Sequence, residues 1–218
     1  MIDVVQQINA VRRQVGGRVL EAGEARAVVV SQTYPTTADD LWDACTNPER
    51  IPRWFLPVSG DLKEGGRYQL EGNAGGVVER CDPPKSFTAT WEFGGNVSWI
   101  EVRVADEGGE RARLELEHLA LINDEALQFW DQFGPGATGV GWDLGLIGLT
   151  LHLGGDAEAA VDPAAVEAWT TSEEGKRFVA LASEKWRDAN IAAGTAGEAA
   201  AQAAADRTTA FYTGQPET

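Results

Sequence analysis

The side chain in this sequence best suited to exchanging a proton near neutral pH is His118, in the run Arg-Leu-Glu-Leu-Glu-His-Leu at 113–119. Read as a strand, the run turns Leu114, Leu116 and His118 to one face and Arg113, Glu115 and Glu117 to the other. An inward imidazole serves as a general base, orients a ligand carbonyl, or is locked neutral by a hydrogen bond. No nucleophile or inward carboxylate is paired with it in the sequence, so the locked form is expected, with a pKa below the usual value of about 6.5. His152, the only other histidine, falls near a helix end and is expected to face solvent or the helix dipole.

Gly134-Pro135-Gly136-Ala137-Thr138-Gly139 matches G-x-G-x-x-G by letter. A dinucleotide site needs that motif after a strand and before a distant acidic residue, whereas this stretch follows a helical pattern. The expectation is therefore no cofactor, and a flexible loop gating a cavity. Cys45 and Cys81 stand far apart and outside any CxxC spacing, which suggests neither a disulfide framework nor a zinc site. No Walker, HExxH, GxSxG or EF-hand motif occurs.

The elements that position these residues change period along the chain. Val4, Ile8, Val11 and Val15 predict an amphipathic helix ending at Gly16-Gly17. Arg26 to Tyr34 is β-branched and reads as a strand stopped by Pro35. A helix capped by Thr36 or Thr37 carries Leu41, Trp42 and Cys45, and Asn47-Pro48-Glu49 opens a second short one ending near Trp54-Phe55. From Gly65 to Leu119 alternating segments indicate an antiparallel meander with one wet and one buried face. Helical spacing then returns, with a short turn or helix over 125–133 and a heavily buried helix over 141–153. Pro163 and Thr171-Ser172 mark further helix starts, and Thr195-x-x-Glu198 is a capping-box pattern before an Ala-rich helix ending near Gly214.

The 218 residues carry 43% hydrophobic and 24% charged side chains, ordinary globular values. Eighteen basic against 34 acidic residues leave a net charge of −16, which repels phosphate backbones and anionic headgroups. Neither a nucleic acid nor a membrane is therefore an expected partner. The apolar stretch from Val140 to Leu153 contains Asp143 and falls short of a bilayer span. With Asp3 near the start and no basic leader, no signal peptide is expected, and a cytoplasmic location follows.

The order strand, two short helices, meander, long apolar helix is the helix-grip arrangement of an α+β fold, in which a curved antiparallel sheet wraps a long C-terminal helix. Residues 25–153 resemble the SRPBCC superfamily of START-like and birch-pollen-allergen-like proteins, in the branch of homologues of the activator of the heat-shock-protein-ninety ATPase. The resemblance rests on Leu41-Trp42, Asn47-Pro48-Glu49, Trp54-Phe55, Gly65-Gly66-Arg67-Tyr68, Pro83-Pro84, Trp91-Glu92, Leu114 to His118, and Gly141-Trp142. It implies a core domain over 25–155, with helical extensions over 1–24 and 156–218.

That fold implies a cavity between sheet and helix that suits a small, mostly apolar ligand. Tyr68, Leu70, Phe87, Trp91, Phe93 and His118 would line it from the sheet, Trp54 and Phe55 at its mouth, and Trp142 and Leu146 from the helix. The expected function is a binding or carrier module. The alternatives are an aromatase/cyclase-type or hydrolase enzyme using His118, and a chaperone-interacting protein. The Ala-rich terminal helix serves either as a homodimer contact or as a capping layer; composition leaves both open.

Overall fold

The computed structural model describes residues 3–154 and 168–214, so the helix start expected at Pro163 lies outside the described residues. Helix α1 (Val4–Ala10) is capped by the Asp3 carboxylate, which accepts from the Gln6 amide at 3.0 Å. The helix does not reach Gly16. Val11 is already extended, and Arg12–Leu20 forms strand β1. Two adjacent glycines weaken a helix by about 1 kcal/mol each. Arg13 also turns its guanidinium back onto the Ile8 and Val11 carbonyls, each at 3.0 Å, and so closes the end of α1.

The chain then runs through β2 (Gly23–Tyr34), α2 (Ala38–Thr46), a 3-10 turn (Ile51–Arg53), β3 (Val58–Gly60), β4 (Arg67–Leu70), β5 (Gly75–Asp82), β6 (Ser86–Phe93), β7 (Asn96–Asp106) and β8 (Ala112–Leu121). The helices α3 (Asp124–Phe133), α4 (Gly136–Gly154), α5 (Glu173–Ala192) and α6 (Glu198–Thr213) follow. The strands form one sheet in the order β1-β2-β8-β7-β6-β5-β4-β3, antiparallel through β3 to β8. With its long C-terminal helix α4, this is the helix-grip α+β fold. Among the described residues, no helix is long and apolar enough to cross a membrane.

Two compact units divide the chain. One holds residues up to Val30, Leu121–Leu144 and the C-terminal helices; the other holds Ser31–Ala120 and α4 from Gly145. In the second unit, alternation decides which side chains go inward. Phe87, Ala89 and Trp91 on β6 oppose Val102, Ile100 and Ser98 on β7, and Ile100, Val102 and Val104 oppose His118, Leu116 and Leu114 on β8. Strand β5 begins with Gly75 and Gly76, and its register with β6 shifts between Val78 and Arg80. A Cβ on Gly76 would strike the Thr90 carbonyl, so only glycine lets the two strands close there. Helix α2 is capped by Thr37, whose hydroxyl accepts from the Asp40 amide at 3.2 Å.

In the first unit the apolar helix α4 buries a charge. Asp143 has no solvent exposure; Arg13 reaches it through Nε at 3.1 Å and Nη2 at 2.9 Å, and the Trp186 indole N–H of α5 donates to it at 2.9 Å. Burial raises the Asp143 pKa against the opposing pull of Arg13 and Trp186. The glycine run expected to be a mobile gate is instead the start of α4. A Cβ on Gly139 would fall inside the Trp186 indole, and one on Gly136 would press on Thr208 at 3.0 Å. These glycines admit neighbouring helices and leave no loop to open. The capping box at Thr195 is likewise displaced: Gly197 caps α6, while the Thr195 hydroxyl donates to the Asn190 carbonyl at 3.0 Å. Ser172 caps α5 as expected.

Removing one member of the buried pair leaves an uncompensated charge, so Asp143→Ala should cost about 3–5 kcal/mol in urea denaturation. The double variant Arg13→Met/Asp143→Leu should lose less than Asp143→Ala alone. Losses that simply add would show that the two groups are energetically independent.

Candidate functional site

Nine of the ten residues singled out from the sequence fall within the second unit; Trp142 lies on the first-unit portion of α4. Tyr68 and Leu70 come from β4, Phe87, Trp91 and Phe93 from β6, His118 from β8, Trp54 and Phe55 from the end of the 3-10 turn, and Leu146 from α4. Glycines on α4 admit the turn. A Cβ on Gly148 would strike the Trp54 carbonyl, and one on Gly145 would meet the Phe55 ring at 3.3 Å. The two rings lie 5.4 Å apart, and the Trp54 indole N–H donates to the Ala44 carbonyl at 2.9 Å.

The rings differ in burial. Leu70 and Leu146 are buried core, and so is Tyr68, whose hydroxyl donates to the Thr90 carbonyl at 2.7 Å. Burial, then Glu92, raises the Tyr68 pKa, so this group is a neutral strut. Trp54, Phe55, Phe87 and Trp91 remain half-buried although they belong to the inner layer, and Phe93 is 58% exposed at the end of β6. Trp42 of α2 meets Phe87 edge-on with ring centres 6.2 Å apart. Sequence reasoning put Trp42 in its helix without assigning it to the site.

His118 lies on the inner face, with its ring centre 6.0 Å from Trp91 and Nε2 at 2.8 Å from the Ser98 hydroxyl. Ser98 itself donates to the Trp91 carbonyl at 3.1 Å. The hydroxyl thus has two neighbours for its one hydrogen, the Trp91 carbonyl and the His118 ring, whose role follows its tautomer. A serine nucleophile requires the histidine to take the hydroxyl proton. The His118 residue keeps some surface, yet its ring is enclosed enough that burial pushes the pKa down to about 4. Ser98 was missed, although it shares parity with Ile100 and stands opposite Trp91.

His152 does not face solvent. It is 4% exposed, and its Nε2 accepts from both Nε and Nη2 of Arg50 at 3.2 Å. The same guanidinium pairs through Nη1 with Asp40 at 2.8 Å and Asp43 at 2.9 Å. Burial, then the charges of Arg50 and Arg53, lower the His152 pKa. Cys45 offers no nucleophile, since burial pushes its thiol up to about 12. Among the described residues, no group of His, Cys, Asp and Glu could hold a metal ion.

Both histidines are therefore more easily protonated in the unfolded chain. Their stabilisation is full above about pH 6.5 and is lost as pH falls, for His118 down to about 4. For His118 the shift corresponds to roughly 3 kcal/mol at most. In urea denaturation, His118→Gln should be the less stable protein at pH 7 but should lose less between pH 6.5 and 4 than the parent. Parallel acid losses would show that His118 is not the titrating group.

The model of the family described as Activator of Hsp90 ATPase homolog 1-like protein matches residues 35–149. Among solved structures, the chain is similar to CalU16 from Micromonospora echinospora. Its crystal structure is 36% identical over 79% of this chain and 98% of that one, with a TM-score of 0.58. The solution structure of CalU16 is 34% identical over 84% and 97%, with a TM-score of 0.67. PFC0360w, an HSP90 activator from Plasmodium falciparum, is 20% identical over 44% of this chain and 74% of that one, with a TM-score of 0.41. No curated protein matches the chain at a significant level. A match spanning over half the sequence, from Pro35 through α2, the meander and most of α4, makes this chain a member of the Activator of Hsp90 ATPase homolog 1-like family.

Proposed function

We propose that the second unit binds a small, mostly apolar molecule between its sheet and the Gly145–Gly154 portion of α4. The observation that carries this reading is the contrast in burial along one face. Ile100, Val102 and Leu116 are buried, as in a solid core, while their neighbours Phe87 and Trp91 keep surface in contact with solvent. Large rings held on a concave face but left partly wet are what an apolar ligand would cover. Trp54 and Phe55 stand on the turn and exposed Phe93 at the strand end, positions suited to an entrance.

The binder reading is favoured over the hydrolase because burial pushes the His118 pKa down to about 4, which leaves the imidazole a weak base at neutral pH. His118 and Ser98 then act as a polar fixture that holds the Trp91 strand and orients what lies against it. The free thiols of Cys45 and Cys81 suit a reducing cytoplasm, where we place this activity.

Titration with the neutral probe N-phenyl-1-naphthylamine should give saturable fluorescence and quench tryptophan emission. Trp91→Ala should weaken binding about tenfold or more, from lost ring contact. Native mass spectrometry of the purified protein should show a co-purified small molecule. No saturable signal in the folded parent, or equal affinity in a folded Trp91→Ala variant, would point to a filled core.

A further inference from the structure

The first unit carries an aromatic surface that its own helices leave open. Helix α3 places Phe129 and Phe133 one turn apart, with ring centres 5.1 Å from each other. Phe211 of α6 follows at 5.8 Å from Phe133, and Tyr212 meets Phe211 edge-on at 5.3 Å. Phe129 is 52% exposed and Phe211 67%. The rings are held from below. The Thr208 hydroxyl donates to the Phe133 carbonyl at 2.8 Å, and the Tyr212 hydroxyl to the Ala137 carbonyl at 2.7 Å. Ala201, Ala204, Ala205 and Thr208 are buried, so the Ala-rich face of α6 is a capping layer, while Phe211 near the end of the helix stays outside.

Exposed rings already fixed in one arrangement lose little entropy on association and mark a contact surface. The charges beside them decide the partner. Glu125, one turn before Phe129, is exposed and forms no ion pair among the described residues. Arg207, one turn before Phe211, uses Nε on the Gln132 carbonyl and Nη2 on the Asp131 carbonyl, so its charge too is left without a carboxylate among the described residues. Helical spacing turns Asp124, Asp131 and Asp206 to other faces. The stripe of rings therefore has a carboxylate at one end and a guanidinium at the other. We infer that this surface binds a second copy of the chain about a two-fold axis crossing the rings, so that Glu125 of each copy lies beside the partner's Arg207. An antiparallel approach of the two α3 helices sets ring against ring and each charge against its opposite. A basic partner would find no excess of negative charge on this stripe, and an acidic one no excess of positive. Two part-exposed rings per copy fall short of the roughly 800 Å² per partner of a standard interface, so the dimer is weak and reversible.

Sedimentation equilibrium of the full chain, from about 10 μM to about 1 mM, should show a monomer–dimer equilibrium. Salt at about 0.15 M limits the repulsion between two chains of net charge −16 to a range of about 8 Å. The double variant Phe129→Ser/Phe211→Ser should weaken association about tenfold or more, with the fold intact by circular dichroism. Glu125→Lys makes each copy less negative, which would strengthen a non-specific contact between acidic chains. It should instead weaken this dimer several-fold, because it places like charges together at both ends of the stripe. A chain that stays monomeric over the whole range would overturn the inference, as would a dimer unchanged in the folded double variant. A dimer that Glu125→Lys strengthens or leaves unchanged would overturn the two-fold pairing. None of these outcomes depends on whether the second unit takes up N-phenyl-1-naphthylamine.

Discussion

The first unit is organised around one buried charge. A helix as apolar as α4 would pack in many rotations about its axis, but Asp143 fixes one, because only one face can present the carboxylate to Arg13 and Trp186. The price is desolvation of both ions, offset by the ion pair of Arg13 Nη2 with one carboxylate oxygen at 2.9 Å and by two hydrogen bonds to the other oxygen, from Arg13 Nε and the Trp186 indole. Three elements distant in sequence, β1, α4 and α5, are thereby committed to one arrangement. Gly139, one turn before Asp143, completes it by leaving room for the ring that carries the indole donor.

The same helix uses glycine differently in its other half. Gly145 and Gly148 let the chain that follows the 3-10 turn lie against α4, so that Trp54 and Phe55 are carried by backbone contact as well as by their rings. Near the helix end, Arg50 binds His152 and two carboxylates of α2 at once. Backbone approach and a shared guanidinium thus hold the turn from both sides. Aromatic side chains that stay partly wet need such external support, because their own burial does not hold them.

The sequence was legible where one face is wet and the other dry. From β6 to β8 the alternation of Phe87, Ala89 and Trp91, then Ile100, Val102 and Val104, then Leu114 and Leu116 is matched by the observed register. It failed where a side chain's partner is remote in sequence. Val11 and Val15 fit a helical period, and nothing nearby in sequence shows that Arg13 is required at Asp143. Gly136 and Gly139 suggested a loop because their neighbours, Thr208 and Trp186, come some 50 to 70 residues later. His152 appeared peripheral for the same reason, since Arg50 is 102 positions away. Of the candidate site, the inward rings and His118 were readable from parity, whereas their unequal burial was not. Parity gives direction and says nothing about how completely the opposite wall closes.

The glycine pair at the head of β5 bears on how this architecture accommodates change. At Gly75 and Gly76 the sheet carries no side chain on either face, and the register slips a few residues further on. Bending in a sheet concentrates at such places, where twist is not resisted by neighbouring bulk. Tyr68 lies opposite Gly76 and donates to the Thr90 carbonyl, while the Thr90 hydroxyl accepts from the Val77 amide at 2.8 Å, so two hydroxyls brace the crease. The cross-section enclosed by a curved sheet depends on where it folds as much as on which residues face inward. A family built on this plan therefore has two separate ways to diversify: by exchanging rings on the wall, or by moving the crease along the strand and leaving the wall untouched.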